Sequence, residues 1–521
     1  MVQALQSHVG CPLQHHRHRI CRGVFVASLR PPQCARITRS QPGWEVARAW
    51  PSDQRYPQAL QNRRRGALQI THASNAPSFF SNPHDGEIMA IALPALLGVL
   101  LDPLMGLVDT AIVGSLGTTS LAAVGLSGMV FNLSLFIWNF LLFTTTPRIA
   151  TAVGRDDREA VSRVAAQGLW MAVVLGVGMS LLLWTQGGAA LRAMGAGPEV
   201  MAVGMPYFRA RCLATPSVLM FYVLAGVFRG LKDTRTPLIA GLLSNIVHVA
   251  LDFGLVYWAG WGVLGAGLAT SLSHWVTVAV LGALVIRKGH LRPRDLLRPP
   301  DLAEVLPLLR AGVLLSTRMM LAMGTFVYAT RAIAGFGAAA VAGHEILRTL
   351  WVTATQAFSS LDIATQTLVA SYLGKGDRKT AYDIVARVLR LAAGIGALLA
   401  VALLAGRQTL PTVFTSDPAV QGLVTMVLPL VALGMPLDAV TAVCDGTLLG
   451  AQEISWLSKT MVVTSAGVAL GLIAAQKYGW GILGVWAVLK GLTLGRLAGA
   501  AWRLASPASP LQSRPAPATA G

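Results

Sequence analysis

From Ile88 onward the chain alternates long apolar runs with short polar joints. The runs fall at roughly 88–113, 120–146, 161–185, 202–228, 236–258, 262–286, 304–335, 340–372, 385–405, 419–449, 457–476 and 480–503. Each reaches the length of about 20 apolar residues that an α-helix needs to cross a bilayer. Several exceed it, which predicts tilt or extension beyond the hydrocarbon. The expected fold class is all-α: a polytopic membrane protein with twelve transmembrane helices.

The pattern repeats. A shift of 220 residues pairs Gly117 with Gly337, Gly154 with Gly374, Asp157 and Arg158 with Asp377 and Arg378, Pro198 with Pro418, and Gly230 with Gly450. A shift of 219 pairs Trp261 and Gly262 with Trp480 and Gly481, and Gly265 with Gly484. Six helices separate the two copies, so they share one topology. Parallel repeats of this kind belong to transporters that rock two halves about a central site. The expected organisation is a leader at 1–84, an N-terminal six-helix lobe at 85–290, a C-terminal six-helix lobe at 291–504, and a disordered Pro/Ser/Ala-rich tail at 505–521.

Charge refines the picture. Only 12% of the 521 residues are charged and 54% are hydrophobic, a balance that excludes a soluble chain. The net charge of +19 invites a nucleic-acid partner, but its distribution argues against one. Residues 1–84 hold eleven Arg, no Lys and only Glu45 and Asp53 as acids, the profile of an organelle transit peptide. Much of the rest follows the even-numbered runs, whereas the joints after odd-numbered runs carry only Arg192, Arg407 and Lys477. By the positive-inside rule the basic joints and both termini face the cytoplasm or organelle matrix. Cys11, Cys21 and Cys34 lie in the leader and only Cys212 and Cys444 beyond it, with no disulfide or zinc spacing.

Polar residues at membrane depth mark the candidate chemistry, because an intramembrane carboxylate costs roughly 2.5–3.5 kcal/mol on insertion scales. The first run carries Pro94, Asp102, Pro103 and Asp109. Asp102, Met105 and Asp109 share a helical face, and the prolines predict bends. The fifth run places Asn245, His248 and Asp252 on one face, and Thr270 on the sixth adds a hydroxyl. At the 220-residue shift their counterparts are Ser465, Val468 and Leu472, and that of Asp109 is Ala329. The first half thus holds a polar cluster that its repeat does not need for folding, suited to Na⁺ or a proton, or to hydrogen bonding between helices. The second half has Arg318, His344, Glu345, Arg348, Asp362, Asp438 and Asp445, for which an internal ion-pair network is the competing account. Its methionines and those of the first half line a promiscuous pocket or simply pack.

The segment LPALLGVLLDPLMGLVDTAIVGSLGTTSLAAVGL, with FRGLKDTRTP, GWGVLGAGLAT and ASYLGKGDRKTA in order, resembles the multidrug and toxic compound extrusion (MATE) transporters. The similarity runs from about Glu87 to Leu504 and is greatest to the DinF-like branch, whose plastid members are the DETOXIFICATION proteins. It implies a V-shaped pair of six-helix bundles, a small organic substrate, H⁺ or Na⁺ as coupling ion with no other cofactor, a monomer in the lipid bilayer, and a chloroplast envelope location. The family's helix 1 proline and aspartate match Pro94 and Asp109, its helix 5 pattern falls on His248 and Asp252, and its helix 6 threonine on Thr270. Histidine replaces the usual asparagine at 248, which favours proton over sodium coupling. The second-half branch's helix 10 aspartate matches Asp438, the secondary coupling candidate; its helix 7 glutamate has no match, Arg318 being the charge there.

The expected function is a secondary active antiporter exporting organic compounds, not an enzyme. The rival is a flippase for lipid-linked precursors, which needs a basic central cavity; few central cations are visible in the sequence. No P-loop appears, which disfavours ATP-driven pumping.

Overall fold

The computed structural model describes residues 82–512. Twelve long helical segments answer the twelve apolar runs: α1 Asp85–Gly114, α2 Thr118–Gly154, α3 Arg158–Ala193, α4 Pro198–Cys212 with Thr215–Gly230, α5 Arg235–Trp258, α6 Gly262–Arg287, α7 Leu302–Ala334, α8 Ala338–Gly374, α9 Arg378–Ala405, α10 Pro418–Gly450, α11 Ile454–Lys477 and α12 Gly481–Ala505. Among the described residues no strand occurs. Among the described residues nine helices are long and apolar enough to cross a membrane by length and composition, and α4 joins them as a pair of helices bent by 42°. α8 falls short by that measure because its middle carries Thr, Ser, Gln and Asp362. Outward side chains such as Leu398 and Val463 are 69% and 73% exposed, as a lipid-facing surface requires.

Three details depart from the simple periodic pattern. A 3₁₀ turn at Ile137–Asn139 interrupts α2. α4 breaks just before Thr215-Pro216, where the ring of Pro216 cannot continue a helical hydrogen-bond ladder. The last turns of α5, Phe253–Trp258, widen into a π-helix directly after Asp252, a distortion that often accompanies functional positions. α1 is continuous through Pro94 and Pro103; the side chains of Asp102 and Pro103 lie outside those described, as does the expected leader through residue 81. The tail is not wholly disordered as expected: residues 506–512 form turns, and the Gln512 carbonyl accepts from Arg378.

The repeat is visible as matching contacts. Gly117 and Gly337 cap α2 and α8 with φ of 110° and 99°, a region open to glycine without steric cost. Asp157 caps α3 by accepting from the Ala160 amide at 2.8 Å, and Asp377 caps α9 by accepting from Thr380 at 3.0 Å. A Cβ placed on Gly176 would lie 2.6 Å from the Cα of Pro216, and one on Gly396 the same distance from Pro436. α2 packs on α4 as α8 packs on α10, and α1 on α5 as α7 on α11. The first turn of α1 ties into the second half, where Asp85 accepts two hydrogen bonds from Arg387 and Glu87 accepts from Tyr372 at 2.9 Å; Glu87 also accepts from Lys232 of the first half at 2.6 Å.

Candidate functional site

α1 and α5 pack side by side, and their polar faces meet. His248 Nε2 lies 3.7 Å from Asp109 Oδ1 and 3.4 Å from Asp252 Oδ2. The i, i+4 spacing of His248 and Asp252 sets them on one face of α5, and Asp109 reaches across from α1. Thr270 of α6 closes the group: its hydroxyl donates to the Ala266 carbonyl at 2.9 Å, and its oxygen lies 3.2 Å from His248 Nε2. His248 Nε2 therefore faces three oxygens on three helices.

The side chains of His248 and Asp252 are only 7% and 2% exposed, whereas Asp109 is 30% exposed. Asp109 is thus the entrance and Asp252 the sealed end. One oxygen of each carboxylate, Asp109 Oδ1 and Asp252 Oδ1, is inaccessible and lacks a hydrogen-bond partner. The ligand atoms of the three residues all lie within 4.8 Å of one another, close enough for one small cation to touch all three. Imidazole nitrogen is a poor ligand for hard cations, which prefer carboxylate, carbonyl and water oxygen; the donor set suits a proton better.

Asn245, expected on the same face, does not join this group. It lines a separate cavity of about 340 Å³ with Pro94, Arg229 and Gln356, because seven residues set it about 10 Å along the helix axis from Asp252. Tyr257 was not anticipated: its hydroxyl pairs with Ser115 at 2.8 Å and pins the end of α5 to α1. Nor was Arg211 of α4, whose charge reaches both Asp109 and His248. Arg211 is held by Tyr207 and by the ring of Phe131, 5.3 Å away. A lone Arg near a helix end reads in sequence as a snorkelling side chain, so no local signal singled it out.

The second half holds a different arrangement. Asp445 Oδ2 accepts from both Arg318 of α7 and Arg496 of α12. Asp438 is fully engaged: Oδ2 accepts from Lys490 at 2.7 Å and Trp351 at 2.9 Å, and Oδ1 from Thr493 at 2.6 Å. Asp438, Asp445, Arg318, Arg496 and Asp362 line a cavity of about 260 Å³. A larger cavity of about 630 Å³ shares its wall and is lined by Arg318, Arg348 and Arg496. The expectation of few central cations is therefore corrected. Lys490 and Arg496 sit singly in α12, and only tertiary packing gathers them with Arg318.

The family model MatE matches the chain twice, at residues 94–253 and 315–478. The chain belongs to the MATE family. It is 30% identical over 458 residues to Protein DETOXIFICATION 44, chloroplastic, of Arabidopsis thaliana, covering 84% of this chain and 87% of that one. It is 24% identical to the probable multidrug resistance protein NorM of Thermotoga maritima, covering 77% and 88%. The fold resembles the crystal structure of a MATE in complex with MaD3S, with TM-score 0.72 at 22% identity, covering 81% of this chain and 96% of that one. It also resembles the eukaryotic MATE transporter AtDTX14, with TM-score 0.70 at 17% identity, covering 82% and 96%. This MATE protein is a multi-pass membrane transporter rather than an enzyme. Asp109, His248 and Asp252 all fall in its first matched segment.

Proposed function

We propose that this protein is a secondary active antiporter that exports small organic compounds across a chloroplast membrane in exchange for protons held between α1 and α5. The observation that carries the reading is the Asp109–His248–Asp252 group, with Thr270 closing it. The location rests on relatives named as chloroplastic, and the export of drug-like compounds on relatives named as multidrug resistance proteins. The protein acts as a monomer, each copy carrying its own group.

The physical logic is a charge that α1 and α5 share. Two carboxylates around one imidazole in a water-poor pocket repel each other unless a proton sits among them. At an effective dielectric near 20, a pair of unit charges about 4 Å apart is worth roughly 4 kcal/mol. Turning a two-state equilibrium from 1:99 to 99:1 takes roughly 5.5 kcal/mol, so protonation supplies most of what an α1 rearrangement at Pro94 and Pro103 demands. A proton that enters at Asp109 draws α1 toward α5; its loss releases α1 and reshapes the cavity behind it.

The test is exchange in proteoliposomes holding the full chain, with ethidium as an organic cation and 2-naphthoate as an organic anion. An imposed pH gradient drives export of at least one probe, and an imposed Na⁺ gradient at constant pH does not. Transport driven by Na⁺ alone would overturn proton coupling.

A further inference from the structure

We infer that the second-half cavity lined by Arg318, Arg348 and Arg496 is a binding site for the anionic head of an organic substrate with an aromatic body. The inference deepens the exporter reading and rests on it only for the cargo being carried. Three guanidiniums, from Arg318, Arg348 and Arg496, line this cavity of about 630 Å³ against one carboxylate, Glu345. Glu345 is already taken by Arg348, through Nε at 3.0 Å and Nη2 at 2.6 Å. Asp445 lines the smaller cavity and not this one. Asp362 and Asp438 also line the smaller cavity, so it is on the side of the larger one that Arg318 and Arg496 meet no carboxylate but Glu345.

Arg496 Nε is buried and has no hydrogen-bond partner. An unpaired buried donor of this kind is costly. A planar guanidinium with a spare N–H suits a carboxylate or sulfonate better than an ammonium does. The remaining wall is apolar and soft. Phe326 and Trp351 stack at 5.1 Å between ring centroids, and Met319 and Met323 complete the slot. The volume is that of a small-molecule site.

The repeat supplies a further argument. At the 220-residue shift Arg318 and Arg348 correspond to Gly98 and Gly128, and at the 219-residue shift Arg496 corresponds to Thr277. The first half folds the same way without any of the three. The six-helix topology itself therefore does not require them.

The test is calorimetric titration of the full chain in phosphatidylcholine nanodiscs with 2-naphthoate, its neutral amide, and 1-naphthylmethylammonium. Naphthoate binds at least about tenfold more tightly than either comparator, the scale of one charge-assisted hydrogen bond. Arg348→Gln, at a half-exposed position, and Arg496→Lys, which keeps the charge beside Asp445, each weaken naphthoate severalfold and leave the amide unchanged. Equal binding of the three probes, or naphthoate binding untouched by both substitutions, overturns the inference. Phosphatidylglycerol nanodiscs separate a free anion from a lipid headgroup: if that lipid abolishes naphthoate binding, the site belongs to the lipid and the inference falls. Ethidium export under a pH gradient is measured on the same preparations. Persistent export without naphthoate binding sinks this site alone. Naphthoate binding without export by any gradient upholds the site and sinks the antiporter.

Discussion

Gly154 at the end of α2 and Gly374 at the end of α8 touch each other, and they are the same position of the repeat. A Cβ on Gly154 would meet the Ser371 carbonyl and lie 3.1 Å from the Cα of Gly374; one on Gly374 would meet the Thr151 carbonyl. Thr151 and Ser371 are also 220 residues apart. The contact is therefore self-complementary, residue i on j′ and j on i′, as in a two-fold dimer interface. It places a pseudo-two-fold relation between the halves at this crossing, and it exists because neither residue has a side chain.

Alanine at Gly154 or Gly374 accordingly pushes backbone against backbone, where no side chain can give way. Each substitution should cost about 1–3 kcal/mol, the scale of overpacking. Gly178→Ala, at an open position in α3, should be neutral or gain about 0.5–1 kcal/mol through helix propensity. Thermal unfolding of the three variants in detergent decides; equal melting temperatures would refute the close crossing.

Asp109→Asn and Asp252→Asn should each cut pH-driven export at least about tenfold with normal amounts of protein in the membrane, the scale of general acid–base groups. Thr270→Ala should cost less, since it removes one hydrogen bond to His248. His248→Asn should replace a nitrogen donor by an oxygen and admit stimulation by Na⁺. Full pH-driven export by the Asp109→Asn, Asp252→Asn double variant would move coupling to the second half.

Asp445 bonds two arginines, so Asp445→Asn removes the carboxylate charge to which both Arg318 and Arg496 donate. The cost expected for breaking such a buried pair is about 3–5 kcal/mol, read as a lower melting temperature or poor expression. Adding Arg496→Met to Asp445→Asn should recover much of the loss. If the double variant is no more stable than the single one, Asp445 matters for some reason other than these two charges.

Asp233, in the joint between α4 and α5, carries a pH dependence outside the membrane. Burial works to raise its pKa, but the Thr236 hydroxyl and the Lys288 ammonium, with the Thr236 amide, outweigh it and hold the carboxyl below its ordinary value. A depressed folded-state pKa gives stability that is complete above the unfolded value near ~4 and is lost as pH falls through the folded one. Asp233→Ala should therefore lower stability at pH 7 by about 1 kcal/mol and flatten the acid limb of the melting profile. An unchanged acid limb would show that this carboxylate does not contribute.

The hydrophobic pattern alone was enough for the helices, their order and the repeat. Apolar length is a local property, and a bilayer leaves the backbone no alternative to helix or barrel. The capping pair Asp157 and Asp377 and the glycines at 117, 154, 337 and 374 were legible for the same reason: each answers a need of the chain within a few residues of itself or at a fixed shift. The i, i+4 pairing of His248 with Asp252 could be read, because helix geometry alone puts both on one face. What the spacing could not say is which faces meet. Asp109 reaches His248, and Asn245 turns to another cavity, only because α1 lies against α5 at one particular rotation. Arg496 and Lys490 gave no signal, since one cation in an apolar helix looks alike whether it snorkels to the interface or faces a carboxylate. Charges in water need no partner, but charges between helices do, and packing supplies it from 51 residues away for Arg496 and 127 for Arg318.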